Sequence, residues 1–314
     1  MSKILVMYSG YTPTQRHLDA LRRIAPGFAV VHVDSEEQAI ANAPTTEIVL
    51  GHRYLRQIVP AAAQLKWVQA SSSGYDHLPA SELKNRSVQL TRTTFSSSVI
   101  AQHAIMLALA LNRSLPDALR YQNNGVWGND LHSALLPRPK RALVLGYGEI
   151  GKIIGDMLAA SGVEIIGFKK NAITADNHNA RIYCDNGWMS EIEDVDLIFM
   201  CLPLTEETRN IFSKEMVSRL KNTAILVNVG RAECVDLVPV AERLRDSTLG
   251  GAAIDVFENR MPLPKNSPLW KVPRLIITPY LAARYGDRGL DLEVFCEAQL
   301  SRWISGQKLQ NRVF

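Results

Sequence analysis

Short β-branched runs alternate with helix-spaced apolar patterns from the first residues onward, and this alternation constrains the fold more than any other feature. Residues 4–8, 29–33, 47–50 and 67–70 read as strands; residues 15–24, 36–42 and 55–64 between them place apolar side chains at helical spacing. A strand that returns through a crossover helix pairs in parallel with its predecessor, so the order predicts a parallel sheet. After Ser96-Ser97-Ser98, a good N-cap cluster, a helix is expected to run to about Arg113. It is apolar almost all round, so it should be buried. Residues 121–140 are polar, broken by Gly and Pro, and read as a link in which Trp127 packs at the domain junction or lines the substrate end of the cleft. The alternation then resumes with strands at 142–145, 164–168, 197–200, 224–228, 251–255 and 275–278 and helices at 150–160 and 291–305.

The expected fold class is α/β with two doubly wound parallel sheets, and 314 residues suffice for two such domains at roughly 150 residues each. Thirty-five Lys and Arg against 31 Asp and Glu leave a formal charge of +4 with no basic patch or tail, which argues against a nucleic-acid partner. Cys184, Cys201, Cys234 and Cys296 form no C-x-x-C pair and adjoin no His cluster, so reduced thiols and no metal site are expected. The N-terminus lacks a signal-peptide pattern, and the longest apolar run, residues 104–111, is too short to span a bilayer. A cytoplasmic protein with no membrane partner is the expectation.

Gly146-Tyr147-Gly148-Glu149-Ile150-Gly151 is a G-x-G-x-x-G. Alone it is a weak signal, but here it follows an apolar strand and opens a helix. In that setting Gly146 permits the tight turn, Gly148 admits a pyrophosphate, and Gly151 lets helix and strand pack closely, with the helix N-terminus supplying N–H groups to the phosphates. The alternative is a plain glycine turn. About twenty residues on, where an NAD site presents an acidic residue to the ribose, the chain has Lys169 and Lys170. Cations there suit a 2′-phosphate, so NADP(H) is the expected cofactor with NAD(H) still possible; otherwise the lysines only solvate a strand end.

Four further motifs carry a resemblance. They are Ser73-Gly74-Tyr75-Asp76-His77, the segment Cys201-Leu202-Pro203-Leu204-Thr205-Glu206-Glu207-Thr208-Arg209, Asn228-Val229-Gly230-Arg231-Ala232, and Gly251-Ala252-Ala253-Ile254-Asp255-Val256-Phe257. With the glycine turn they resemble, in order and spacing over nearly the whole chain, the D-isomer-specific 2-hydroxyacid dehydrogenase family, in its glyoxylate/hydroxypyruvate reductase-like form. The resemblance implies a flavodoxin-like substrate domain of residues 1–100 and 284–314 and an inserted Rossmann nucleotide-binding domain of residues 101–283. It implies hydride exchange between a small 2-keto acid and its 2-hydroxy acid, in a homodimer. Ser73 and Gly74 would hold the substrate carboxylate, Arg231 would bind and polarise it, Leu202, Pro203, Thr208 and Val229 would border the cofactor, and Asp255 would hold its carboxamide.

Two positions depart from the family pattern. Where D-V-F-x-x-E-P-L-P is expected the Glu position is Met261, and where T-P-H is expected the His position is Tyr280. A Glu that stabilises an imidazolium has no task once the imidazole is gone, so the joint loss is coherent. Tyr280 could deliver the proton, since a phenol beside a cation such as Arg231 or Arg284 ionises more readily; it could equally be a binding or packing residue. Glu258 is a conceivable substitute for the missing Glu, though a solvated loop carboxylate is the plainer reading. His52 and Arg53 follow a first-domain strand and could touch substrate or only cap their loop. His77 and His103 stand where relatives often carry structural histidines. The remaining readings are a cofactor-binding sensor that has lost the reaction, or a reductase for another substrate class.

Overall fold

The computed structural model describes residues 1–128, 135–170, 180–258 and 262–314. The chain divides into two compact units, residues 1–96 with 285–314, and residues 97–284.

The first unit is built on five parallel strands, β1 (Lys3–Met7), β2 (Ala29–His32), β3 (Thr46–Gly51), β4 (Trp67–Gln69) and β5 (Gln89–Thr91), in the order β2-β1-β3-β4-β5. That is the doubly wound flavodoxin-like order, which reverses direction between β1 and β3. Alternate residues of β1 feed opposite faces: Leu5 and Met7 join Val49, Leu55 and Val68 on one side, while Ile4 and Val6 join Ile48, Trp67 and Leu292 on the other. The helices are α1 (Gln15–Ile24), α2 (Glu36–Asn42), α3 (Leu55–Ile58) and α4 (Ala80–Asn85). The helix expected at 55–64 stops at Ile58: Val59 is still in helical backbone, but Pro60 has no N–H to donate back to Arg56, and the chain goes on in turns. The β5 strand was not legible, since Gln89 and Thr91 flank a single apolar residue.

The second unit contains α5 (Ser97–Asn112), α6 (Leu115–Asn123), α7 (Glu149–Ala159), α8 (Lys214–Arg219) and α9 (Leu237–Arg245), and the last helix of the first unit is α10 (Arg288–Ile304). Its strands are β6 (Arg141–Leu145), β7 (Glu164–Phe168), β8 (Ala180–Tyr183), β9 (Leu197–Met200), β10 (Ile225–Asn228), β11 (Gly251–Ile254) and β12 (Leu275–Ile277). All seven pair in parallel as β12-β11-β10-β9-β6-β7-β8, the Rossmann order extended by one strand. The central strands β9, β10 and β11 are buried at every residue, as a sheet covered on both faces requires. Edge strand β8 is half-exposed and has no apolar run, which is why it escaped the sequence pattern. Helix α6 occupies the start of the expected link, and Trp127 beyond it is 89% exposed rather than packed. Helix α5 packs against α7, β10 and β11 through its buried residues, yet Met106 and Leu109 on it are exposed. Among the described residues no helix is long and apolar enough to cross a membrane.

Candidate active site

The glycine turn joins β6 to α7. Gly146 has φ +98°, and a Cβ there would lie 2.7 Å from the Cys201 backbone, so only glycine fits on both counts. At Gly151 a Cβ would meet the Gly146 carbonyl at 2.4 Å, which shows how closely the helix sits on the turn. Gly148, the residue before α7, faces open space: nothing lies within 4 Å of a Cβ built there. The first N–H groups of α7, at Glu149, Ile150 and Gly151, have no partner within the helix and mark this open side with its positive dipole end. A pyrophosphate fits such a cradle. Tyr147 contributes only main chain: its N–H donates to the Phe168 carbonyl (2.8 Å) while its ring is buried against Gly155 and Gly167. Burial, with Asp156 nearby, pushes the Tyr147 phenol up to about 12.

Lys169 and Lys170 follow β7, the strand next to β6. Lys169 is half-buried and its N–H donates to the Tyr183 carbonyl (3.0 Å). Lys170 is exposed, and its ammonium meets the Glu207 carboxylate at 2.7 Å. Glu207 belongs to the segment after β9, in which Leu202 is buried behind the turn and Pro203 is exposed. The Thr208 hydroxyl donates to the Pro203 carbonyl (2.6 Å) and accepts from the Thr205 N–H (2.7 Å), so this side chain shapes its own loop. Hydrogen bonds from Lys170 and Thr205 hold the Glu207 carboxyl down at about 2.

At the end of β10, buried Asn228 organises the turn that carries Arg231. Its Nδ2 donates to the Arg231 carbonyl (2.9 Å) and its Oδ1 accepts from the Gly230 N–H (3.0 Å). Val229 is buried, and half-buried Arg231 donates from Nη1 to the Gly230 carbonyl (2.8 Å). Asn228 entered the sequence pattern only as a motif letter; its task is to close this turn.

The ends of β11 and β12 are bound together by Asp255, which is 3% exposed. One carboxylate oxygen accepts from the Thr278 hydroxyl (2.6 Å) and the Leu281 N–H (2.8 Å), the other from the Ala282 N–H (3.1 Å). His103 on α5 joins from behind, its Nε2 3.2 Å from the Thr278 hydroxyl and 3.6 Å from the carboxylate. Tyr280 stands within this loop at φ +54°, a left-handed conformation that a bulky side chain rarely adopts. Its hydroxyl accepts from the Phe257 N–H (2.9 Å) and donates to the Phe257 carbonyl, so one phenol caps both ends of a single residue's backbone. Glu258 is exposed beside it, and Met261 lies outside the described residues.

In the first unit the candidate substrate residues gather at the C-terminal ends of β3 and β4. Gly51, at φ +105° and against the Met7 carbonyl, turns the chain so that His52 follows. The Nδ1 atom of His52 accepts from the Ser71 N–H (3.2 Å), and its ring sits edge-on to His77 at 5.1 Å. Arg53 is exposed and lies over Tyr54, away from the Ser71–Gly74 hydrogen bonds. Four consecutive carbonyls of the Ser71–Gly74 segment each accept a hydrogen bond. Ser71 takes one from Arg288 (2.9 Å), Ser72 from the Thr93 N–H (3.2 Å), Ser73 from Arg92 (3.1 Å) and Gly74 from the Ser72 hydroxyl (2.7 Å). Each of these carbonyls thus has a donor of its own, which fixes the course of the segment and offsets part of the negative charge that an approaching anion would meet. Arg92 and Arg288 went unnoticed in the sequence, where nothing links them to a serine loop 19 and 217 residues away.

Comparison with known proteins adds independent support. A family model for the NAD-binding domain of D-isomer specific 2-hydroxyacid dehydrogenases matches residues 105–282. The chain is 27% identical over 318 residues to glyoxylate/hydroxypyruvate reductase B of Pectobacterium atrosepticum, covering 94% of each chain. Its structure is similar to that of the PH0520 protein from Pyrococcus horikoshii OT3, with a TM-score of 0.83 at 23% identity over 100% of this chain and 95% of that one. It is also similar to an NADPH-dependent glyoxylate/hydroxypyruvate reductase from Sinorhizobium meliloti solved with NADP and malonate, with a TM-score of 0.78 at 23% identity over 99% and 96% of the two chains. At such identity the two structural matches speak for the fold.

Proposed function

The chain belongs to the D-isomer specific 2-hydroxyacid dehydrogenase family, and from that premise we propose that it is a reductase of small 2-keto carboxylates, preferring NADP(H) over NAD(H). The observation that carries this reading is the retained pair of binding elements in the second unit: the open cradle at Gly148 before α7 and the Arg231 turn closed by Asn228. When bound, the nicotinamide supplies hydride for the keto carbon. The α7 N-terminus holds the pyrophosphate, and Lys169 and Lys170 meet the 2′-phosphate. Arg231 binds the substrate carboxylate and draws electron density toward the keto oxygen. The N–H groups of Ser73 and Gly74 form a second carboxylate-binding element, supported by the occupied carbonyls of their segment. Asp255 is foremost the anchor of the Tyr280 loop, since three hydrogen bonds already reach its carboxylate.

The acid–base group is not an imidazole. Tyr280 occupies that position, and its Oη can give a proton to the keto oxygen only by leaving the Phe257 carbonyl. The same bond favours a second reading, a dinucleotide-binding sensor in which Tyr280 is a strut and no turnover occurs. NADPH oxidation against a panel of 2-keto acids including glyoxylate and hydroxypyruvate separates the two. The reductase reading expects turnover that Tyr280→Phe lowers about 100-fold or more. Tight NADPH binding with no acid turned over would establish the sensor instead. A homodimer is part of the proposal, formed over the exposed apolar residues Met106, Leu109, Leu115, Leu119 and Trp127 of the second unit. A monomer in sedimentation would remove that part alone.

A further inference from the structure

The Lys170–Glu207 ion pair places an anion against one of the cations assigned to the cofactor's 2′-phosphate. Resting on the NADP(H) reading above, we propose that Glu207 is a cofactor-specificity residue: it competes with the 2′-phosphate for Lys170 and offers an acceptor for a ribose 2′-hydroxyl, so that it narrows the preference for NADP(H).

Three observations support the assignment. Glu207 is carried by a preformed loop. Thr208 bonds Pro203 and Thr205, and the Arg209 N–H donates to the Thr205 carbonyl (3.0 Å), so the carboxylate is presented from a closed turn rather than from a free tail. That turn follows β9, which pairs with β6, and Lys170 follows β7, which pairs with β6 on its other side; both therefore stand at the strand ends flanking the glycine turn. Glu207 is also ionised throughout the working range, because Lys170 and Thr205 hydrogen-bond its charged form.

The competition has a definite sign. A 2′-phosphate entering beside Lys170 must share its ammonium with Glu207 or displace it, and in either case lies near a second anion, whereas a 2′-hydroxyl donates to that carboxylate and leaves the ion pair in place. Both side chains are well exposed, at 73% and 65%, so the effect belongs to the range of a surface pair and should fade with salt.

The test is direct titration of NADPH and of NADH into the full chain, followed by nicotinamide fluorescence, for the wild type, Glu207→Gln and Lys170→Ala. Glu207→Gln is expected to tighten NADPH about two- to fivefold and to weaken NADH, with the change in ratio shrinking in 0.5 M salt, where the Debye length is about 4 Å against about 10 Å at 0.1 M. Lys170→Ala is expected to weaken NADPH and spare NADH. If Lys170→Ala shifts the ratio and Glu207→Gln does not, the role of Glu207 is overturned and the NADP(H) reading stands. If Lys170→Ala leaves the ratio unchanged, the role of Lys170 falls and that of Glu207 with it; the NADP(H) reading falls as well if Lys169→Ala combined with Lys170→Ala also leaves the ratio unchanged.

Discussion

The glycine turn after β6 and the Tyr280 loop after β12 belong to the same unit and the same sheet, yet they are held in different ways. The turn is made of main chain. Its shape follows from the absence of side chains at Gly146 and Gly151, and its chemistry from N–H groups at a helix end. The Tyr280 loop is made of side chains: Asp255, Thr278 and Tyr280 tie its peptides, and Tyr280 bears a left-handed φ that glycine would adopt more readily. A backbone-made site tolerates drift everywhere except at its glycines. A side-chain-made site can exchange one function for another when a single residue changes, which is what the proposed role of Tyr280 would require.

The largest effect should come from Arg231, the one charged side chain proposed to act on substrate in this unit. Arg231→Ala should lower kcat/KM for any accepted 2-keto acid by about 10²–10³-fold while leaving NADPH affinity intact. Unchanged kcat/KM would remove Arg231 from the reaction and leave the glycine turn as the only functional part of the comparison.

The turn itself can be broken in two separable ways. Gly146→Ala forces a Cβ onto the Cys201 backbone at φ +98° and should destabilise the protein by about 2–4 kcal/mol in denaturant unfolding. Gly148→Ala points its Cβ into open space, so it should fold normally and weaken NADPH by about tenfold, near 1.4 kcal/mol. If Gly148→Ala binds NADPH as the wild type does, the cradle is not where the pyrophosphate sits.

These contrasts explain what could be read from the sequence. The parallel order of both sheets follows from β-branched runs spaced by helices, and the turn from glycines in a strand–helix setting. Elements whose pattern is half-exposed or very short, such as β8 and β5, left no periodic signal. The tyrosine at position 280 is plain in the sequence, but the bonds of its hydroxyl to Phe257 are not, since they depend on where two loops meet 23 residues apart. Arg92 and Arg288 are hidden for the same reason: an arginine that satisfies a distant carbonyl has the same letter as one that solvates a surface.

Tyr280→Phe also probes the loop as a structure. It removes both hydrogen bonds from the Phe257 backbone, and the stability loss should be about 1–3 kcal/mol if its N–H and carbonyl are left unsatisfied. A loss near zero would mean that water replaces the hydroxyl and that the loop is held by Asp255 and Thr278 alone.

The smallest effect is expected at Tyr147, whose ring packs behind the backbone-made turn. Burial raises its phenol from 10 to about 12 in the folded protein, so the folded state retains a proton that the unfolded chain releases. Between those values the unfolded state binds fewer protons than the native state, and stability must fall as pH rises. The contribution is therefore fully present below pH 10 and lost as pH climbs toward about 12, at a cost of about 1–2 kcal/mol. Tyr147→Phe should flatten that part of the profile in urea midpoints measured from pH 8 to 11. Because the ring packs on Gly155 and Gly167 while only its main chain borders the cradle, NADPH affinity at neutral pH should not change. An affinity change in Tyr147→Phe would show that the ring positions the turn as well as supporting it, and the contrast between the two regions would then be one of degree.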